Sequence, residues 1–250
     1  MSMLSRFFEL NRRACRWLGE QFPNFFDAQQ DETTYFPEIR SRLEQYTKSG
    51  SGARLLEAGG IDRPLVKRGS GYEYVGLDIE ERPRCAEIYD DFIVQSVEKE
   101  IAGPFDVVFS VTLLEHVNDN DASSKAVFDA LKPGGEAIHY VPNMGHPYAL
   151  VLRVVGNTVQ RKLLALTEGA ETKGGYPTHF HRCTPNQMSQ ALKNAGFTEI
   201  DAVIYYSPTK YVLVFVPAFI LMATFMQFCR LLGISYFCSG FVISGRRPLH

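Results

Sequence analysis

The segment Ala53–Pro64 reads A-R-L-L-E-A-G-G-I-D-R-P, and Tyr72–Glu80 reads Y-E-Y-V-G-L-D-I-E. An apolar strand runs into an acid, Glu57, and a glycine pair, Gly59-Gly60. A second apolar strand ends on another acid, Asp78, about twenty residues after the first. This spacing predicts a doubly wound α/β sheet that binds an adenosine-containing cofactor. Glycines let the backbone approach a ligand, and an acid closing the second strand accepts hydrogen bonds from ribose hydroxyls. By itself the segment is equally open to a nicotinamide enzyme.

Outward from it, strand signals recur in regular order. Strands are expected near Arg54–Glu57, Tyr74–Asp78, Phe92–Val94, Phe105–Ser110, Glu136–Val141, Glu199–Tyr206 and Gly240–Ser244. The fourth is a continuous apolar run, as buried parallel strands often are. The helix after it carries Val127, Phe128, Ala130 and Leu131, and Lys132-Pro133-Gly134-Gly135 reads as a helix stop with a sharp turn. Another helix begins at Thr184-Pro185, with threonine as N-cap, and ends at Gly196. Strands alternating with helices imply a mostly parallel, seven-stranded sheet. Residues 1–48 read as an N-terminal helical cap, with an amphipathic helix over Ser2–Glu20 and a second over Pro37–Lys48. Residues 49–250 form the main domain, with an irregular insertion over 143–183 around a helix near Ala149–Leu166, and an apolar one over 208–235.

The chain has 250 residues, is 45% hydrophobic and carries a net charge of -2. That suffices for one full core with additions. The balance gives no reason to expect nucleic acid as a partner, since such domains carry a basic excess. Cys15, Cys85, Cys183, Cys229 and Cys238 are odd in number and scattered. They argue against a disulfide framework or a metal site and fit a reducing cytoplasm. Arginines interrupt the apolar residues at the N-terminus, which argues against a signal peptide.

Five ordered pieces, L-L-E-A-G-G, V-G-L-D, F-D-V-V-F-S-V-T-L-L-E-H-V, L-K-P-G-G-E-A-I-H-Y-V-P-N and C-T-P-N-Q-M-S-Q-A-L-K-N-A-G-F, span roughly Ala53 to Arg247. In this order the chain resembles the class I S-adenosylmethionine-dependent methyltransferases, nearest the quinone-biosynthesis-like group with an L-E-H-V motif after strand four. The resemblance implies a Rossmann-like sheet and S-adenosyl-L-methionine as cofactor. It implies that Glu57, Gly59 and Gly60 border the methionine end and that Asp78 binds the ribose. It places Ile79 on the adenine, Ser96 and Val97 at the adenine edge, and Ser110 and Val111 on the floor near the sulfonium. Two departures stand out. The family pattern has a glycine where this chain has Ile61, and commonly an aspartate where it has Ser96. They leave open a second reading, a non-catalytic scaffold that keeps the fold.

His116, in L-E-H-V, is expected one turn into the helix after strand four, near the mouth of the pocket. There a histidine can take a proton from an acceptor hydroxyl as the methyl arrives, or serve only as a cap or support. In the resembled group a histidine just before the T-P helix start faces the active site, and His179 matches it. Asn143, His146, Tyr176 and His181 complete the substrate-side candidates. His139, within strand five, reads as a core or cofactor-side residue. No metal is expected, because H-x-H at His179 and His181 lacks a supporting cluster at ligand spacing.

Lys210 and Arg230 bracket an uncharged run from Tyr211 to Cys229. A simple membrane span conflicts with strands on both sides that must join one sheet. The run therefore reads as an interfacial helix, a re-entrant hairpin broken near Pro217, or a homodimer contact. The arginine-bearing first helix is a second candidate for the membrane, or else a lid over the cofactor. The combined expectation is an O-methyltransferase acting at the cytoplasmic membrane face. Its acceptor is amphipathic or lipid-linked, either a glycan precursor or a quinone-like prenylated phenol.

Overall fold

The computed structural model describes residues 3–23, 25–26, 32–48, 50–61, 63–150 and 176–249. These form two compact units. The larger comprises Tyr35–Pro142, Thr178–Val203 and Phe241–His250, and the smaller comprises Met1–Thr34, Asn143–Pro177 and Ile204–Gly240.

The larger unit is built on a seven-stranded sheet. Its strands are β1 Ala53–Ala58, β2 Tyr72–Asp78, β3 Asp91–Val94, β4 Phe105–Val111, β5 Leu131–Pro142, β6 Thr198–Tyr205 and β7 Gly240–Arg246, in the order β3-β2-β1-β4-β5-β7-β6. The pairs β1–β2, β1–β4, β2–β3 and β4–β5 are parallel. β7 runs against β5, since Gly134 N–H donates to Arg247 O at 2.8 Å near one end and Asn143 N–H to Ser239 O at 3.1 Å near the other. Such a sheet is covered on both faces, which is why β1, β2 and β4 are almost continuously buried instead of alternating. Tyr74, Phe105, Phe109 and Phe241 are among the largest fully buried side chains of this core.

Helix α1 is Met3–Gln21 and α2 is Glu32–Thr47. Ile39 and Leu43 of α2 are buried, and Arg42 donates to Ser244 Oγ at 2.5 Å and Asp201 Oδ2 at 2.7 Å. These bonds hold α2 from Tyr35 onward to the sheet, within the larger unit. A short α3, Cys85–Ile88, precedes β3. Helix α4, Asn120–Ala130, is capped by Asp119, whose carboxylate accepts the N–H groups of Asp121 and Ala122. Helix α5, Pro185–Ala195, has the expected Thr184 cap, and Gly196 closes it at φ 108. Leu131–Gly135 differs from expectation. α4 stops at Ala130, and Lys132-Pro133-Gly134-Gly135 lies inside β5, where the register slips opposite Phe105–Val107. Gly134 makes the irregularity at φ 80, and the bulge replaces the separate turn.

In the smaller unit α1 meets the apolar insertion. The insertion is a 3-10 turn at Lys210–Val214, helix α6 at Val216–Leu231 and a 3-10 turn at Ser235–Phe237. Pro217 occupies the first turn of α6, where its missing N–H costs nothing, and it does not break a hairpin. No described helix is long and apolar enough to cross a membrane. Most of the helix expected at Ala149–Leu166 lies outside the described residues.

Candidate active site

The parallel register brings the candidate residues of the larger unit to one edge. Ala58 pairs with Leu77 of β2 and with Ser110 of β4, and Asp78 pairs with Val94 of β3. The residues that follow, Gly59, Ile79, Ser96 and Thr112, therefore leave the carboxyl ends of four adjacent strands. The strand order reverses between β1 and β4, the place where open α/β sheets bind ligands.

The two glycines of the first loop are required for different reasons. Gly59 sits at φ 81, a conformation costly for any L side chain. Gly60 has no unusual φ, but a Cβ there would lie 2.3 Å from Tyr89 Oη and 2.6 Å from Glu57 Cδ. Glu57 is buried beneath that loop. It accepts the N–H of Leu65 at 3.2 Å, the hydroxyl of Tyr89 at 3.2 Å and the hydroxyl of Tyr74. Burial pushes its carboxyl up to about 7, against the lowering effect of these donors. Glu57 thus positions the loop from below, with its oxygens turned to Leu65 and the two tyrosines. The sequence reading did not anticipate Tyr74 and Tyr89 as its partners.

Ile61, at the position where the family has glycine, adopts φ 40. The backbone keeps the left-handed form with a β-branched residue in it, a strained arrangement. The Cys85 thiol donates to the Ile61 carbonyl at 3.4 Å and accepts the Arg82 N–H at 3.4 Å. Cys85 so ties the glycine loop to the segment after β2.

Asp78 is nearly buried, and its Oδ1 accepts the Glu80 N–H at 3.2 Å. Burial raises its pKa, while the N–H groups of Glu80 and Ile79 pull it down. Ile79 beside it is 61% exposed. Ser96 is tied to Glu98 (Oγ to Oε2, 2.9 Å), and Glu98 in turn accepts the Asp119 N–H at 2.8 Å. Val97 is buried. Val111 is half-buried, but Ser110 is wholly buried and its hydroxyl bonds His139 Nδ1 at 2.8 Å. Burial holds His139 down at about 4, so this ring is neutral at physiological pH.

His116 belongs to a 3-10 turn, Leu114–His116, rather than to the helix expected there, because α4 begins only at Asn120. Its Nε2 is 3.7 Å from Glu115 Oε1. Glu115 is the functional candidate that sequence reasoning passed over. It is buried, and its Oε2 has no hydrogen-bond partner. Burial pushes it up to about 8, so at neutral pH the carboxyl is mostly protonated and the contact with His116 is no resting ion pair. The signal was its place between Leu113-Leu114 and Val117, an acid with apolar neighbours.

The loop after Pro177 folds onto this turn. The N–H groups of His179 and Phe180 donate to Glu115 O at 2.8 and 3.0 Å, which brings the exposed His179 beside the turn that carries His116. Asn120 clamps the arrangement, donating through Nδ2 to Leu114 O at 2.8 Å and His181 O at 2.6 Å. His181 Nδ1 accepts the Asn120 N–H at 3.0 Å, so that nitrogen is committed to the start of α4. Asp119, Asp121 and His181 place ligand-type atoms within 4.8 Å of one another. Each already has a use: a helix cap, an ion pair with Arg182 at 2.5 Å, and the Asn120 bond.

The remaining substrate-side candidates belong to the smaller unit. Asn143 Nδ2 donates to Tyr236 O at 2.7 Å and Cys238 O at 2.8 Å, anchoring the exit of the apolar insertion. His146 is buried, and its Nδ1 accepts the Tyr148 N–H at 3.2 Å. Burial pushes it down to about 4. Tyr176 is exposed.

Residues 28–202 match the methyltransferase domain family. The chain belongs to the class I S-adenosylmethionine-dependent methyltransferases. The ubiquinone biosynthesis O-methyltransferase of Xanthomonas axonopodis pv. citri is 35% identical over 67% of this chain and 70% of that enzyme. The enzyme of the same description from Acinetobacter baylyi is 26% identical over 66% of this chain and 72% of its own. Among solved structures, the [4+2]-cyclase SpnF aligns with a TM-score of 0.54 at 17% identity, over 90% of this chain and 86% of that one. Haemonchus contortus phosphoethanolamine N-methyltransferase 2, in complex with S-adenosyl-L-methionine, aligns at 0.51 and 14%, over 95% of this chain and 57% of that one. At these identities the two structures speak to the fold alone.

The methyltransferase uses S-adenosyl-L-methionine, and the edge residues suit it. An acceptor-only carboxylate, Asp78, stands beside an exposed apolar side chain, Ile79, which matches a ribose diol joined to a flat base. The Gly59-Gly60 backbone, unobstructed by side chains of its own, is the natural cradle for the methionine part. Ile61 departs from the family in identity but keeps the left-handed backbone a glycine there would supply. Family membership and the similarity to ubiquinone biosynthesis O-methyltransferases support the enzyme reading.

Proposed function

We propose that the protein O-methylates an amphipathic or lipid-linked hydroxyl acceptor, with a quinone-like prenylated phenol preferred over a glycan precursor, at the cytoplasmic face of the membrane. The observation that carries the reading is the likeness to ubiquinone biosynthesis O-methyltransferases over about two thirds of the chain. S-adenosyl-L-methionine supplies the methyl group as an electrophile whose sulfur leaves without acid assistance. The work of the protein is then to hold the acceptor in line, which by itself lowers the barrier by several kcal/mol (about 7–11 at most). His116 would take the acceptor's hydroxyl proton, and the buried carboxyl of Glu115, 3.7 Å from its Nε2, would help to orient the ring. His179, held to Glu115 O through its backbone, is the second candidate for this proton.

Purified protein with labelled S-adenosyl-L-methionine is offered three acceptors: a prenylated catechol in detergent, catechol without the tail, and a lipid-linked glycan extract. Mass spectrometry then locates the methyl group. Oxygen methylation of the prenylated catechol, lost in His116→Ala, is expected. A product methylated on nitrogen or carbon, or turnover confined to the untailed catechol, refutes the reading.

A further inference from the structure

Helix α1 has two apolar faces. The inner one lies in the core of the smaller unit, where Cys15 is fully buried with Phe219 of α6 and Leu18 packs beside them. Among the described residues, nothing covers the outer one. Phe7, Leu10 and Trp17 lie along one stripe by helical spacing, and they are 47%, 65% and 56% exposed. Arg6 and Arg13, one turn from that stripe, are also exposed, Arg13 in an ion pair with Glu9 at 3.0 Å. Helix α6 repeats the arrangement: Phe219, Ala223 and Met226 are buried, while Leu221, Phe228 and Leu231 are 74%, 54% and 83% exposed along another stripe.

The two helices are fastened to each other. Val216 N–H donates to Asn11 Oδ1 at 3.0 Å, Gln227 Nε2 donates to Phe25 O at 3.1 Å, and the Phe26 and Phe219 rings are 5.7 Å apart. Their outer stripes therefore belong to one compact body. Large apolar side chains exposed in such numbers mark a binding surface more often than an ordinary solvated one. The charge balance says what kind. Helices α1 and α6 hold five arginines, Arg6, Arg12, Arg13, Arg16 and Arg230, against two acids, Glu9 and Glu20. From Ile204 to Gly240 there is no acidic residue at all. An apolar face with a cationic border suits an anionic lipid surface, where aromatic and leucine side chains enter the acyl boundary and arginines meet phosphates.

We propose that the outer faces of α1 and α6 are together a docking surface for an anionic bilayer. The proposal deepens the reading of a membrane-borne acceptor and rests on it for its purpose. It joins the two candidate membrane contacts, the Tyr211–Cys229 run and the arginine-bearing first helix, in one surface.

The test is flotation of the full chain with vesicles of phosphatidylcholine alone or with added phosphatidylglycerol. Trp17, the only tryptophan, reports from α1. Binding to the phosphatidylglycerol vesicles, falling with salt, is expected, with a blue shift of Trp17 emission and quenching by brominated acyl chains. Arg6→Ala and Arg13→Ala should each lower partitioning, by about fivefold at most. Leu10→Glu or Leu221→Glu should abolish it while leaving the melting temperature unchanged, because these side chains are outside the core. Absence of flotation at low salt overturns the proposal. So does a Trp17 blue shift that appears without lipid and tracks dimer formation in sedimentation, since the face would then join two copies. The acceptor assay in detergent needs no vesicle. A protein that floats but leaves prenylated catechol unmethylated keeps the surface and loses the acceptor, and the reverse result does the opposite.

Discussion

Glu115→Gln isolates the cost of a buried, half-satisfied carboxyl beside His116. In the folded protein burial moves this group from 4.5 to about 8. That displacement corresponds to about 5 kcal/mol between the two protonation states. A raised carboxyl pKa means that the folded state holds the proton more tightly than the unfolded chain. Its contribution is therefore fully present below pH 4.5 and is lost as the pH rises through about 8. Glutamine has nearly the same shape as the protonated acid and does not ionise. The variant should match the parent at low pH and become progressively more stable above it, reaching about 3–5 kcal/mol by ~pH 9 once relaxation around the charge is allowed for. Urea unfolding at several pH values, followed by far-ultraviolet circular dichroism, reads this as a midpoint difference of about 1 M or more at the alkaline end. Glu57 shifts in the same direction, losing its contribution up to about pH 7, but it is present in both proteins and cancels. A difference between variant and parent that stays constant across the pH range would refute the reasoning. It would mean that Glu115 is ionised in the folded state at neutral pH and has a partner that stabilises it.

Three further outcomes are expected. Gly60→Ala forces a Cβ to 2.3 Å from Tyr89 Oη, so it should destabilise the protein by about 1–3 kcal/mol and weaken S-adenosyl-L-methionine binding, as read by thermal melting and calorimetry. Asp78→Asn removes the charge from the ribose-side acceptor and should raise the calorimetric Kd about tenfold or more, a loss of ~1.5–3 kcal/mol, with little change in melting of the free protein. Cys85→Ala frees the Ile61 carbonyl and should cost about 1 kcal/mol and several-fold in cofactor affinity, with Cys85→Ser retaining most of both. In an Ile61→Gly background the same substitution should cost less, because glycine adopts the left-handed backbone without help, and additivity of the two changes would count against that account.

The parts of this protein legible in the sequence are those controlled by local chemistry. The strands announced themselves as apolar runs, the Thr184-Pro185 start and Gly196 stop followed capping rules, and Asp78 stood out as the acid that closes an apolar run. The parts that were not legible involve residues distant in sequence. Nothing near Glu57 reveals that Tyr74 and Tyr89 hold its carboxyl from the second strand and from the residue after α3. Nothing near Ser110 shows that its hydroxyl belongs to His139, 29 residues away. Lys132–Gly135 misled for a related reason. Proline and glycines stop a helix, but whether a turn or a bulged strand follows depends on the pairing of β5 with β4.

By itself, the sequence determined the order of strands and helices, the class of fold and the family, because periodicity, caps and motif spacing are local and survive in one dimension. It also placed Gly59, Asp78 and Ile79 at strand ends, which parallel pairing brings to one edge of the sheet whatever covers them. Only the tertiary structure decided which of those residues face outward and which are held within. It put Glu57 and Ser110 behind the edge, turned Glu115 into a buried acid beside His116, and split the apolar residues of α1 between a core and an open face. Burial and partnership are properties of what surrounds a side chain, and for these residues the surroundings come from far along the chain.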